Sequence, residues 1–324
     1  MRKALIVGID FYENIVSLKG AVKDARRVND VLEYNDDEEV NFQTPKLMLG
    51  VNEDSPVMRA DIRNAVEELF AEDAEVALFY FSGHGYIDST GGFLCASDCA
   101  AGDNGLPLYD VMSFANNSPA KNKIILIDSC HSGDAGRSST SSDTAEIKEG
   151  VTILTASTAG QYAIENEEGG VFTTLLVDAL SGSAANLVGD VTPGSIYAHI
   201  DQSLGTWDQR PVFKTNVKSF VSLRKANSPV KLKSIRKLTN LFTNYDTEIP
   251  LDPAYEPERS QIKTSIQPDP IKTADFAILQ ELVAVNLVEP VGASHMWHAA
   301  MNSKACRLTV LGQHYWKLVS RRLI

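Results

Sequence analysis

Val76-Ala77-Leu78-Phe79-Tyr80-Phe81-Ser82-Gly83-His84-Gly85 is an apolar run of strand length that ends in a histidine set between two glycines. Lys123-Ile124-Ile125-Leu126-Ile127-Asp128-Ser129-Cys130-His131-Ser132-Gly133 has the same build, with a cysteine at its end. Continuously apolar runs of this length are the pattern of strands buried on both faces of a parallel sheet. Leu108 to Asn116 reads as the crossover helix between them. Ligands of open α/β sheets gather where strands deliver their carboxyl ends, so His84 and Cys130 are expected on one rim. An imidazole there can accept the thiol proton and later protonate a leaving amine, which makes Cys130 a nucleophile and His84 its base and acid. The amides of Gly85 and Cys130 are candidate donors to the oxyanion. A small core residue at a strand end is the plain alternative for Cys130.

Strand alternation sends Asp128 and Cys130 to one side and Ser129 and His131 to the other, which favours His84 over His131 as the base. A carboxylate so close disfavours the thiolate, so Asp128 is poorly suited to activating the nucleophile. It reads either as the partner of a substrate Lys or Arg, or as the cap of a turn or of the following helix.

These residues carry a resemblance. Ser82-Gly83-His84-Gly85, Asp128-Ser129-Cys130-His131-Ser132-Gly133, the opening strand Ala4 to Ile9 and the stretch Leu18 to Ala25 together resemble the caspase-like cysteine peptidases. Within them the likeness is to metacaspases and their bacterial relatives, and it covers about the first 225 residues. His84 precedes Cys130 by 46 residues, near the spacing of the caspase pair. The resemblance implies a mostly parallel sheet sandwiched by helices. It also implies a pocket in which Asp24, Ser82 and Asp128, with Ser157 after the Val151 to Ala156 strand, select a basic residue before the cleaved bond. Many metacaspases bind calcium in acidic loops, but Tyr86 to Gly92 holds only Asp88, too few oxygen ligands for that ion. Calcium dependence is therefore doubtful, and no cofactor or metal is expected.

The 324 residues carry a net charge of −12, with 44% apolar and 22% charged residues, the composition of a globular protein. The charge is uneven, about −15 up to Lys225 and +3 after it. An acidic catalytic domain suits basic peptides and is a poor nucleic-acid binder. No apolar stretch approaches a membrane span, and four cysteines, Cys95, Cys99, Cys130 and Cys306, form no disulfide framework, so a cytoplasmic protein is expected.

Helices are expected from Gly20 to Tyr34 and from Pro56 to Phe70, the latter with Ser55 as cap, and later from Val171 to Leu180 and Gly194 to Leu204. Arg210 to Lys214 resembles the last core strand. The small, polar segment Asp134 to Asp143 reads as an exposed loop, which makes Arg137 and Lys148 candidate self-cleavage points for a peptidase with a basic preference. Three regions follow: a peptidase domain over 1–225, a Pro-containing linker over 226–274, and a small α/β module over 275–324 that resembles a winged helix. The module is expected to recruit a regulatory protein, with nucleic acid unlikely because its positive excess is small. His295, His298 and His314 lack the further ligands of a metal site.

The whole reads as a cysteine endopeptidase that cuts proteins after Arg or Lys. By resemblance it is a regulated effector in bacterial stress or defence, with possible autoprocessing. The alternatives are a caspase-like peptidase of different specificity and a non-enzymatic adaptor working through the C-terminal module.

Overall fold

A computed structural model of the chain describes residues 1–89, 91–101, 104–129, 137–138, 141–156, 165–166, 169–205, 210–257 and 265–324. These fall into two units, one of residues 1–185 with 190–227 and one of residues 186–189 with 228–324.

Six strands build the sheet of the first unit: β1 (Arg2–Ile9), β2 (Lys46–Gly50), β3 (Val76–Ser82), β4 (Asn122–Asp128), β5 (Val151–Thr155) and β6 (Val212–Asn216). Their order is β6-β5-β4-β3-β1-β2, and all pairs are parallel except β5 with β6. The apolar runs are continuous because both faces are covered. Ala77, Phe79, Phe81, Ile125 and Ile127 enter one core, under α2 (Arg59–Ala71) and α3 (Leu108–Asn117). Leu78, Tyr80, Ile124 and Leu126 enter the other, with α1 (Ala21–Glu33), α4 (Val171–Asp178) and α5 (Pro193–Ser203). Successive strand residues take opposite faces, so Ser82 and Asp128, which pair across β3 and β4, continue the second set. A three-stranded antiparallel sheet, Gly85–Asp88, Gly91–Leu94 and Leu106–Pro107, leaves the end of β3 and returns to α3.

The first helix and the crossover helix fall where the periodicity puts them, but α2 starts later than expected. Ser55 does not cap it. The Val57 amide donates to Ser97 Oγ at 3.0 Å, and the Ser97 amide donates to the Val57 carbonyl at 2.9 Å, which holds 55–58 extended. Asp98 Oδ1 then accepts the Arg59 amide at 3.1 Å, a cap from a distant segment that spacing along the helix cannot reveal.

The second unit has a three-stranded antiparallel sheet, β7 (Ile249–Pro250), β9 (Ala305–Leu308) and β8 (Val288–Val291) in that order. Its helices are α6 (Leu232–Arg236), α7 (Leu238–Leu241), α8 (Pro270–Ala284), α9 (Met296–Met301) and α10 (Val310–Ser320). The expected linker is corrected here. Val230, Ile235, Leu238, Phe242 and Leu251 are buried in the same core as Phe276, Leu279, Leu282 and Val288. Two of the prolines that suggested an extended tether sit at element starts, Pro253 in a 3-10 turn and Pro270 at the first position of α8, where a missing N–H costs nothing. The hairpin-like middle of the expected winged helix is two antiparallel strands joined through α9 rather than by a tight turn.

Candidate active site

Asp24 lies in the first turn of α1, and Asp128 ends β4; they are 1% and 6% exposed. Each carboxylate reaches the start of α4. Asp24 Oδ2 accepts the Gly170 amide at 2.7 Å, and Asp128 Oδ2 accepts from Thr173 twice, from the amide at 3.2 Å and the hydroxyl at 2.6 Å. The first amides of a helix have no intrahelical acceptor, so two acids from elsewhere in the chain satisfy them. Gly170 lies between the two. A Cβ there would stand 2.3 Å from Asp128 Oδ2 and 3.1 Å from Asp24 Oδ2, so only glycine lets both carboxylates approach. The pair constitutes a buried acidic site at the carboxyl-end rim of the sheet.

The Tyr80 hydroxyl extends the network, 2.6 Å from Thr173 Oγ1. Its pKa is pushed well above the ordinary value, first by complete burial, then by the charges of Asp128 and Asp24. Ser82, 4% exposed, is beside Asp128 in the register. Outside this group, Arg27 Nη1 donates to Thr174 Oγ1 at 3.0 Å and lies 3.4 Å from Asp24 Oδ1.

His84 follows β3 by two residues and is half-buried. Its Nε2 is 2.8 Å from the Val16 carbonyl, and because a carbonyl only accepts, Nε2 carries a proton, which leaves Nδ1 as the lone-pair nitrogen of the neutral ring. A neutral imidazole held this way is a base at Nδ1. The His84 carbonyl accepts the Cys95 amide at 2.9 Å, a bond that brackets the opposed pair Gly85 and Leu94. Gly85 thus occupies a non-hydrogen-bonded position of that ladder, and its N–H points away from the neighbouring strand. Among the described residues, no group of three or more His, Cys, Asp or Glu converges as a metal site. No helix among them is long and apolar enough to cross a membrane.

The profile of the caspase domain matches residues 1–226. The chain belongs to the caspase domain family. Its sheet flanked by helices matches the caspase-like fold. Among solved structures, a protein from Geobacter sulfurreducens aligns with a TM-score of 0.50 at 14% identity, over 70% of this chain and 98% of its own. Caspase-1 from Spodoptera frugiperda gives 0.49 at 16% identity, over 70% of this chain and 91% of its own. At 14% identity the likeness to the Geobacter protein is one of fold. No curated protein matches the chain. The caspase domain is a domain of cysteine peptidases, so the family of this chain is one of hydrolases that act on proteins.

Within the caspase domain, Asp24, Ser82 and Asp128 lie on one face at the rim, while His84 and Gly85 follow the end of β3, the strand that ends in Ser82. Cys130 and Ser157 lie outside the described residues. The loop expected from Asp134 to Asp143 contains two short paired strands, Arg137–Ser138 and Ser141–Ala145. Arg137 opens the first and pairs with Ala145. Lys148 is exposed, yet its backbone is tethered: Asn116 accepts the Lys148 amide at 3.0 Å and donates to the Glu146 carbonyl at 3.1 Å. Asn216 donates to the Ile147 carbonyl at 2.9 Å.

Gly170, Thr173 and Val16 were not singled out from sequence. The glycine pair Gly169-Gly170 before an apolar helix was the available signal for the first two. Nothing marks Val16, which acts through its backbone.

Proposed function

We propose that this caspase domain is a cysteine endopeptidase that cleaves after Arg or Lys, with Cys130 as nucleophile and His84 as general base and acid. The observation that carries the reading is the convergence of Asp24 and Asp128 on Gly170, at the rim to which β3 delivers His84. A lysine ammonium or arginine guanidinium entering there meets two acids in a site withdrawn from water, where charge-assisted hydrogen bonds are strong.

The chemistry follows from the orientation of His84. With Nε2–H committed to Val16, Nδ1 takes the proton of the Cys130 thiol, and the thiolate attacks the carbonyl carbon of the scissile bond. The Gly85 and Cys130 amides stabilise the oxyanion. Nδ1–H then protonates the departing amine, and water hydrolyses the thioester with the same imidazole as base. Arg137 and Lys148 are the candidate points of self-processing, and a regulatory protein bound by the second unit is the candidate control. The expected setting is the cytoplasm, in keeping with the described cysteines Cys95, Cys99 and Cys306, which form no disulfide.

A second reading has its own support. Both carboxylates already serve the start of α4, so they also fit a purely structural cap beside a pocket of different specificity. Fluorogenic peptides varied at the residue before the cleaved bond separate the two, assayed with and without calcium and against Cys130→Ala. Cleavage after Arg and Lys that disappears in Cys130→Ala is the expected result. Cys130-dependent cleavage confined to other residues would discard the basic specificity, and no Cys130-dependent cleavage of any peptide would favour the adaptor.

A further inference from the structure

Among the described residues His84 makes three polar contacts, and two of them go to one short loop. Besides the Val16 carbonyl at Nε2, its backbone amide donates to the Tyr12 hydroxyl at 2.8 Å. The Tyr12 ring also lies against the imidazole, centroids 4.8 Å apart and planes tilted by 53°. Tyr12 is 3% exposed, and its neighbours are fixed: the Asp10 and Phe11 amides both donate to the Gly50 carbonyl at 2.9 Å, and Glu13 donates to the Ser97 carbonyl at 2.9 Å. Gly83 makes room for the phenol, since a Cβ at that position would stand 2.7 Å from its oxygen.

We propose that Tyr12 is a positioning residue for the His84 imidazole, holding its backbone by the phenol oxygen and its ring by packing. An imidazole turns about two side-chain torsions. Val16 restrains the far nitrogen, Tyr12 restrains the point from which the side chain springs, and together they fix the direction of the Nδ1 lone pair. Burial keeps the phenol neutral, with its pKa well above the ordinary value, so its oxygen serves His84 as an acceptor and no proton passes through it. This inference rests on the Cys-His peptidase reading.

Tyr12→Phe keeps the ring and deletes the acceptor. The expected result is a fall in kcat of about tenfold to hundredfold on an Arg peptide, with KM within about twofold, the scale of a displaced catalytic group. The rate of Cys130 alkylation by iodoacetamide against pH is expected to move towards that of a free thiol, because the imidazolium is no longer held at the sulfur. Loss of stability alone would not produce that shift in the folded protein. Gly83→Ala, which presses a methyl group on the phenol oxygen, is the second variant and is expected to lower kcat in the same way. If Tyr12→Phe keeps wild-type kcat and alkylation profile while His84→Ala is inactive, Tyr12 has no positioning role. If His84→Ala is itself fully active, the peptidase reading falls first.

Discussion

Gly170 is where a side chain would be felt most. Its missing Cβ leaves space for Asp128 Oδ2, and its amide holds Asp24 Oδ2. Gly170→Ala is expected to fold with a stability loss of about 1–3 kcal/mol, the scale of an overpacked site. Turnover of Arg and Lys peptides should fall at least about tenfold, as one carboxylate must move; a misplaced catalytic or binding contact costs that much. Denaturant unfolding with steady-state kinetics on the same sample checks both, and unchanged kcat/KM would separate Gly170 from the pocket. The acids themselves were legible in the sequence, since Asp128 sits in the nucleophile motif and Asp24 in the first helix. Their partners were not. Gly170 is 146 residues from Asp24, and Thr173 is 45 from Asp128. Hydrogen bonds across such separations leave no periodicity, although Asp128 does bond the next helix described after it, α4, as its reading as a helix cap has it.

Helix ends show the same division. The apolar spacing of α1 fixes its extent to within a residue at each end, because its buried stripe of Val22, Ala25, Val28 and Leu32 decides it. Its start depends on Asp10, whose Oδ1 accepts the Ala21 amide at 2.9 Å and the Val22 amide at 3.3 Å. Those bonds lower the Asp10 pKa, but burial raises it more, and the net shift is upward. A carboxyl with a raised folded pKa binds its proton more tightly when native, so its contribution to stability declines as pH rises from the unfolded value through the folded one. Asp10→Asn retains an acceptor for both amides without titrating. The expected outcome is that the variant gains on wild type as pH rises from about 4 towards neutrality, read from unfolding free energies across that range. A gap that does not change with pH would show that Asp10 titrates alike in both states. By contrast, α2 misled the reading because Ser97 and Asp98, from outside the helix, decide where it begins.

Among the described residues three hydrophobic cores organise the chain, one on each face of the large sheet in the first unit and one around Phe242 and Phe276 in the second. Proline count hid part of the second, since a few spaced apolar residues such as Ile235, Leu238 and Phe242 suffice for short helices. Phe276→Ala, in a fully buried position, is expected to cost the second unit about 3–5 kcal/mol. Scanning calorimetry should show an endotherm that moves down while peptide hydrolysis at 25 °C, roughly the reference temperature of such energies, stays near wild type. Loss of hydrolysis with the second unit melted would instead make that unit part of the working enzyme.

The tethers at Glu146, Ile147 and Lys148 bear on what any cut between 137 and 148 would accomplish. The chain beyond the cut still supplies β5, an interior strand bonded on both sides, and α4, which holds both pocket acids. Two fragments would remain a single folded body. Scission here would act as an unfastening, freeing chain ends without shedding a subunit.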